Sequence, residues 1–224
     1  MGIAENIIHI NEELPSTVRL VAVSKFNPVE AIKEAYDAGQ RIFAESRPQE
    51  MFQKVQQLPH DIQWHFIGHL QTNKLKMVLP YASLVHSVDS ERLLQEISKF
   101  AAKNSIQVKC LLEVFIAQEE SKQGFSEEEL FALLNRLEQD PLPGISVCGL
   151  MGMASFVDDP EQIRSEFRTL NRIFEKVKEK YVSTLPEFEE LSIGMSGDYK
   201  IAIEEGSTLV RIGTSIFGAR NYNR

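Results

Sequence analysis

Val18-Arg19-Leu20-Val21-Ala22-Val23-Ser24-Lys25 is the first apolar run of a 224-residue chain, and a lysine closes it. It lacks strict alternation, as a parallel strand buried on both faces requires. Seven further runs rich in Val, Ile, Leu and Phe follow at 41–46, 64–69, 84–89, 108–116, 146–153, 190–196 and 208–214.

The segments between these runs carry helix punctuation. Asn27-Pro28-x-Glu30 predicts an N-cap, a proline at N1 and a carboxylate at N3, with Gly39 as the stop. Ser126-x-x-Glu129 is a capping box ahead of Leu130, Leu133, Leu134 and Leu137. Asp159-Pro160 opens the longest helix, whose apolar stripe Ile163, Phe167, Leu170, Phe174, Val177 and Tyr181 steps by four and three. A helix over 3–13 precedes the first strand. Eight strands alternating with helices predict an α/β fold, a (β/α)8 TIM-type barrel with an extra N-terminal helix. An open doubly wound sheet would carry a glycine-rich phosphate turn after strand one, and Ser24-Lys25-Phe26-Asn27 is not one. With no linker, repeat or low-complexity tract, residues 1–224 read as a single domain.

A net charge of −8, without any Lys/Arg-rich stretch, argues against a nucleic-acid partner. Cys110 and Cys148 sit inside apolar runs and read as buried reduced thiols. The uncharged run 141–157 is broken by Pro143, Gly144, Gly149 and Gly152, too often for a membrane helix. The N-terminus lacks a basic-then-apolar leader, and a cytoplasmic protein is expected.

Barrel enzymes keep their chemistry at the strand C-termini, where Lys25 falls. It shares strand parity with Val21 and Val23, so an inward Val23 places the amine in the mouth. A partly desolvated lysine amine condenses with carbonyls as a Schiff base; the plainer alternative is a strand-end lysine paired with a surface carboxylate. Gly194-Met195-Ser196-Gly197-Asp198 and Arg211-Ile212-Gly213-Thr214 end strands seven and eight, where phosphate-binding barrels hold their ligand. Ser196, Gly197, Gly213 and Thr214 supply hydroxyls and backbone N–H groups for a phosphate monoester; alternatively, Ser196 N-caps the next helix and the glycines serve turns. Amine and phosphate cradle together suggest pyridoxal 5′-phosphate. Arg211 shares parity with Leu209 and Gly213, and inside a barrel it needs a partner: a pyridine nitrogen, or a buried ion pair with Glu45 or Glu113. His65 and His69, four apart on a strand and without a third ligand, do not make a metal site.

Val21-Ala22-Val23-Ser24-Lys25, His65 to Lys74, His86-Ser87-Val88-Asp89, Gly149-Leu150-Met151, Gly194-Met195-Ser196 and Gly206 to Thr214 resemble the pyridoxal phosphate homeostasis proteins, single-domain relatives of the alanine racemase barrel. The resemblance runs from about Val18 to Phe217. It implies pyridoxal 5′-phosphate held as an internal aldimine of Lys25, with Ser196, Gly213 and Thr214 on the phosphate and Arg211 at the pyridine nitrogen. It also implies a carrier or buffer of the cofactor in vitamin B6 balance, without robust turnover and with apo PLP enzymes as candidate transient clients. The chain departs from the family pattern at Ala44-Glu45-Ser46, where members have Gly-Glu-Asn, so Ser46 would supply a shorter hydrogen bond near the cofactor. Asn27 stands where many members have a second lysine, while Lys122 keeps the family's lysine after strand five and with it an open secondary cofactor role.

Racemisation needs acid and base groups on opposite faces of the substrate adduct. In alanine racemases the second is a tyrosine delivered by an additional domain of a partner subunit, and this chain ends at Arg224, just after the barrel. A non-catalytic monomer that binds the cofactor is therefore expected. The rivals are a racemase-like or aldolase-like Schiff-base enzyme and a pure interaction module.

Overall fold

The computed structural model describes residues 2–117 and 123–218. The eight expected runs form β1 (Arg19–Val23), β2 (Ile42–Glu45), β3 (Gln63–Phe66), β4 (Ala82–Val88), β5 (Val108–Glu113), β6 (Ile145–Met151), β7 (Glu190–Met195) and β8 (Leu209–Ile212). Each pairs in parallel with the next, and β8 pairs back onto β1 with Val21 opposite Arg211, closing the barrel. Several strands stop short of the C-terminal end of their apolar run. There the chain leaves the ladder for the loops of the mouth.

The layer around the barrel is built from α1 (Ile3–Glu13), α2 (Val29–Asp37), α3 (Pro48–Val55), α4 (Leu75–Val78), α5 (Glu91–Asn104), α6 (Glu127–Gln139), α7 (Pro160–Lys180), α8 (Tyr199–Glu204) and α9 (Thr214–Phe217). The expected extra helix is α1; it buries Ile7 and Ile10, and Asn6 Nδ2 donates to Ile216 O at 2.9 Å. The Ser126 box forms as read, with Glu129 N donating to Ser126 Oγ at 3.1 Å and Ser126 N to Glu129 Oε2 at 2.9 Å. Asp159 caps α7 by accepting from Glu161 N and Gln162 N, and the whole predicted stripe is buried. The start of α2 differs from its reading. Pro28 is the N-cap and Asn27 Nδ2 donates back to Lys25 O at 3.2 Å, so Asn27 shapes the lysine turn and not the helix.

The apolar core has two compartments. The larger lies between strands and helices, where outward residues such as Ala22, Phe43 and Leu112 meet Ile32, Met51 and Leu94. The smaller fills the barrel interior with Val21, Val23, Ile42, Ala44, Leu111 and Leu209, among others. That division settles the parities on which the site depends: Val21, Val23 and Leu209 point inward.

Candidate functional site

Lys25 lies two residues beyond β1, half-buried, in a turn closed by Asn27 N donating to Ser24 O at 3.0 Å. Phe26 takes a left-handed φ of 66°, a conformation that a non-glycine residue adopts only when its surroundings hold it. A buried cluster on α3 does the holding. Lys54 Nζ donates to Ser24 O at 2.9 Å, Glu45 Oε1 at 2.8 Å and Glu50 Oε1 at 2.7 Å. Glu50 Oε1 also accepts from Phe26 N at 2.7 Å, and Ser24 Oγ donates to Glu45 Oε1 at 2.6 Å. The backbone on both sides of Lys25 is thus tied to one ammonium. Burial pushes the Glu45 carboxyl up to about 7 against the pull of Lys54 and Ser24.

Strand eight brings the other half of the site alongside. A Cβ on Gly213 would sit 3.2 Å from Val23 O, so the end of β8 abuts the strand that carries Lys25. Arg211 is buried, and its Nη1 donates to Ser192 O at 2.7 Å and Ser192 Oγ at 2.6 Å, its Nη2 to Gly152 O at 3.1 Å. Its Nε has no hydrogen bond among those of the described residues. Burial draws the guanidinium down to about 10, which leaves it protonated at neutral pH and donor-only. Neither Glu45 nor Glu113 forms a salt bridge with it. Glu45 sits on the outward face of β2 against α3, and Glu113 acts on Arg211 only through space.

The loops after β7 and β8 meet where Gly213 N donates to Ser196 Oγ at 3.2 Å. Ser196 therefore bridges the two loops instead of capping α8, whose N-cap is Asp198. That contact engages the Gly213 N–H, and the N–H groups of Thr214 and Ser215, in the first turn of α9, are the ones without a backbone partner among the described residues. Sequence reasoning overlooked Ser215. A Cβ on Gly197 would meet nothing within 4 Å, so the space beside it is open. Ser46, across the mouth, follows β2 and is half-buried; Gly68 packs so tightly on it that an added Cβ would lie 2.0 Å from Ser46 O. Lys122 lies outside the described residues. His65 and His69 are separated by burial: His65 is inside the barrel, whereas His69 is exposed and pairs with Asp89 at 3.1 Å.

Glu113 ends β5 and is buried, and its Oε2 finds no partner. Burial, and then Asp89, push its carboxyl up to about 7. A carboxyl raised from 4.5 stabilises the fold when protonated; the contribution is complete below about 4.5 and is lost as pH rises through about 7. Glu113→Gln keeps the shape without the charge. Urea unfolding should show the variant gaining on the wild type between pH about 5 and 8, on the order of 1–3 kcal/mol; a constant difference across that range would contradict the assignment.

The profile of the alanine racemase N-terminal domain family matches residues 2–221. Fold and site thus define a barrel of the alanine racemase class. Within it, a protein of Aquifex aeolicus named "Pyridoxal phosphate homeostasis protein" is 42% identical over 205 residues, 91% of this chain and 88% of the relative. The structure of PipY from Synechococcus elongatus PCC7942 with PLP bound superposes with a TM-score of 0.85 at 34% identity, covering 96% of this chain and 100% of that one. The alanine racemase of Clostridium difficile 630 shares the fold, with a TM-score of 0.76 at 16% identity over 99% of this chain and 57% of that one. The chain belongs to the pyridoxal phosphate homeostasis protein family. Among its described residues, no helix is long and apolar enough to cross a membrane.

Proposed function

We propose that this chain binds pyridoxal 5′-phosphate covalently through Lys25 and serves the cell's balance of that cofactor as a holder, not a catalyst. The observation that carries the reading is the β1–β8 closure, which sets the Lys25 turn beside Arg211, whose Nε–H has no hydrogen bond among the described residues. When bound, the cofactor supplies an aldehyde that condenses with a primary amine and then absorbs visible light. The protein's part is to bind and orient. Arg211 donates to the ring nitrogen and, keeping its own proton, leaves that nitrogen unprotonated. Ser196, Gly197 and Thr214, with the Ser215 N–H, would take the phosphate, and the Gly213 N–H would hold the Ser196 hydroxyl oxygen in place beside it. Ser46 contributes a hydroxyl at the rim.

The holder role rests on the names of the relatives and on the mouth itself. Of the tyrosines in the described residues, Tyr36 bonds to Asp61, Tyr181 to Asn135 and Tyr199 to Glu13, while Tyr81 packs on Phe52, all in the outer layer. None supplies a second acid–base group opposite Lys25. We further propose that the protein acts as a cytoplasmic monomer and passes cofactor to apo enzymes as transient clients.

The test is the visible spectrum after adding pyridoxal phosphate to wild type and to Lys25→Ala. A band in wild type that is absent from the variant is expected, and no band in either would remove the cofactor reading. Racemisation of amino acids at about 1 per second or faster would remove the holder role.

A further inference from the structure

A line of hydrogen-bonded side chains continues from Arg211 down the barrel interior. Ser192 Oγ, which accepts from Arg211 Nη1 at 2.6 Å, lies 2.9 Å from His86 Nδ1. His86 Nε2 lies 2.9 Å from His65 Nδ1, with the ring centroids 4.9 Å apart. Ser192 and His86 are fully buried, and His65 and Arg211 are each 4% exposed. His65 also lines a cavity of about 530 Å³ at the strand N-termini, beside Gln63, Leu84 and Cys148.

The direction of this line follows from its top. A guanidinium only donates, so Ser192 Oγ accepts from Arg211 and its own proton is available to His86 Nδ1. Burial holds both imidazoles neutral, with His65 drawn down to about 3 and His86 lowered as well. A neutral imidazole carries one N–H. With Nδ1 accepting, His86 donates from Nε2 to His65 Nδ1, and His65 turns its own Nε2–H to the cavity. Every member then has one role, and the last donor meets the cavity instead of apolar side chains. The same bonds fix the guanidinium plane: Ser192 takes both Nη1–H groups and the Gly152 carbonyl one Nη2–H, which leaves Nε–H and the second Nη2–H without a hydrogen bond among the described residues.

We propose that Ser192 and His86, supported by His65, are positioning residues that set the orientation of Arg211 toward the ring of the bound cofactor. The inference rests on the cofactor reading given above. None of the three touches the cofactor; each acts through Arg211. Ser192→Ala removes the hydroxyl that Arg211 and His86 share.

Lys25 is intact in that variant, so the visible band should still form. Its maximum should shift, and the dissociation constant for pyridoxal phosphate should rise about tenfold, as for a lost hydrogen bond to a charged group. Ser192→Thr restores the hydroxyl and should restore both readouts. Ser192→Cys, close to serine in size and a weak hydrogen-bonding group, should behave as alanine does and serves if the alanine variant does not fold. His86→Phe should shift the band in the same direction. A lower melting temperature with unchanged band position and affinity in the Ser192 variants would reduce the line to a structural role and overturn the proposal. Wild type without any band would overturn the cofactor reading and this inference together, whereas a wild-type band unmoved by Ser192 defeats only the inference.

Discussion

Lys54→Met is expected to destabilise the protein by about 3–5 kcal/mol, the range for removing one partner of a buried ion pair. Lys54 is 5% exposed and Glu45 is fully buried, and Glu45 Oε2 has no partner even in the wild type. Methionine fills the space of the lysine stem but leaves the Glu45 carboxyl to Ser24 alone. Its pKa, held at about 7 with Lys54 present, then rises further. The sign of the pH effect follows. Below about 7 the carboxyl is protonated in both proteins, and above it only the wild type has a cation to accept the charge, so the deficit widens as pH rises. Urea unfolding at pH about 6 and about 8.5 measures this directly; a loss under about 1 kcal/mol at both would place the cluster with ordinary surface pairs. Glu45→Leu added to Lys54→Met should recover much of the loss, because an apolar replacement of a buried pair is often neutral. It should not recover capture of the cofactor, since Ser24 O and Glu50 still lack the ammonium that fixes the lysine turn.

Gly149→Ala should cost about 3 kcal/mol or more, through a clash and a backbone penalty acting together. Gly149 has a φ of 155° and pairs with Glu190 across the β6–β7 seam, and an added Cβ would lie 1.8 Å from Glu190 O. The obstructing atom is a ladder carbonyl, so relief requires parting two strands of a closed ring. Gly197→Ala is the matched control: the same methyl enters open space, and the melting temperature should stay within about 2 °C of wild type. Equal melting temperatures for the two variants would mean that the seam yields far more easily than a packed barrel does.

The comparison of sequence with structure divides along a physical line. Strands, caps and the α7 stripe were legible because each depends on local periodicity or on short-range hydrogen bonds. Inward Val21, Val23 and Leu209 were legible because parity survives from strand to barrel. The Asn27 cap failed because a side chain next to a tight turn bonded to the turn itself. Lys54 went unnoticed for a different reason: a lysine on an amphipathic helix looks solvent-facing, and only the tertiary fold shows that its ammonium ends among Ser24, Glu45 and Glu50. His86 stood out in the sequence only as part of a family motif, without a role, and Ser192 not at all. Each is an unremarkable polar residue in an apolar run, and their hydrogen bond joins β4 to β7, which sequence distance conceals. Of the competing ion-pair readings of Arg211, parity undid the one with Glu45, which faces outward from β2, whereas Glu113 faces inward like Leu111 but makes no salt bridge with Arg211.

The seam between β1 and β8 has a consequence for fragments of the protein. On the proposed reading, the amine lies just past the first strand and its ring and phosphate partners on or after the last two, so neither half of the barrel contains a complete site. A chain severed between α4 and β4 would leave Lys25 on one piece and Arg211 on the other. Yellow colour regained on mixing such pieces would then score reassembly of the whole ring, making the cofactor an optical reporter of complementation and of any mutation that slows it.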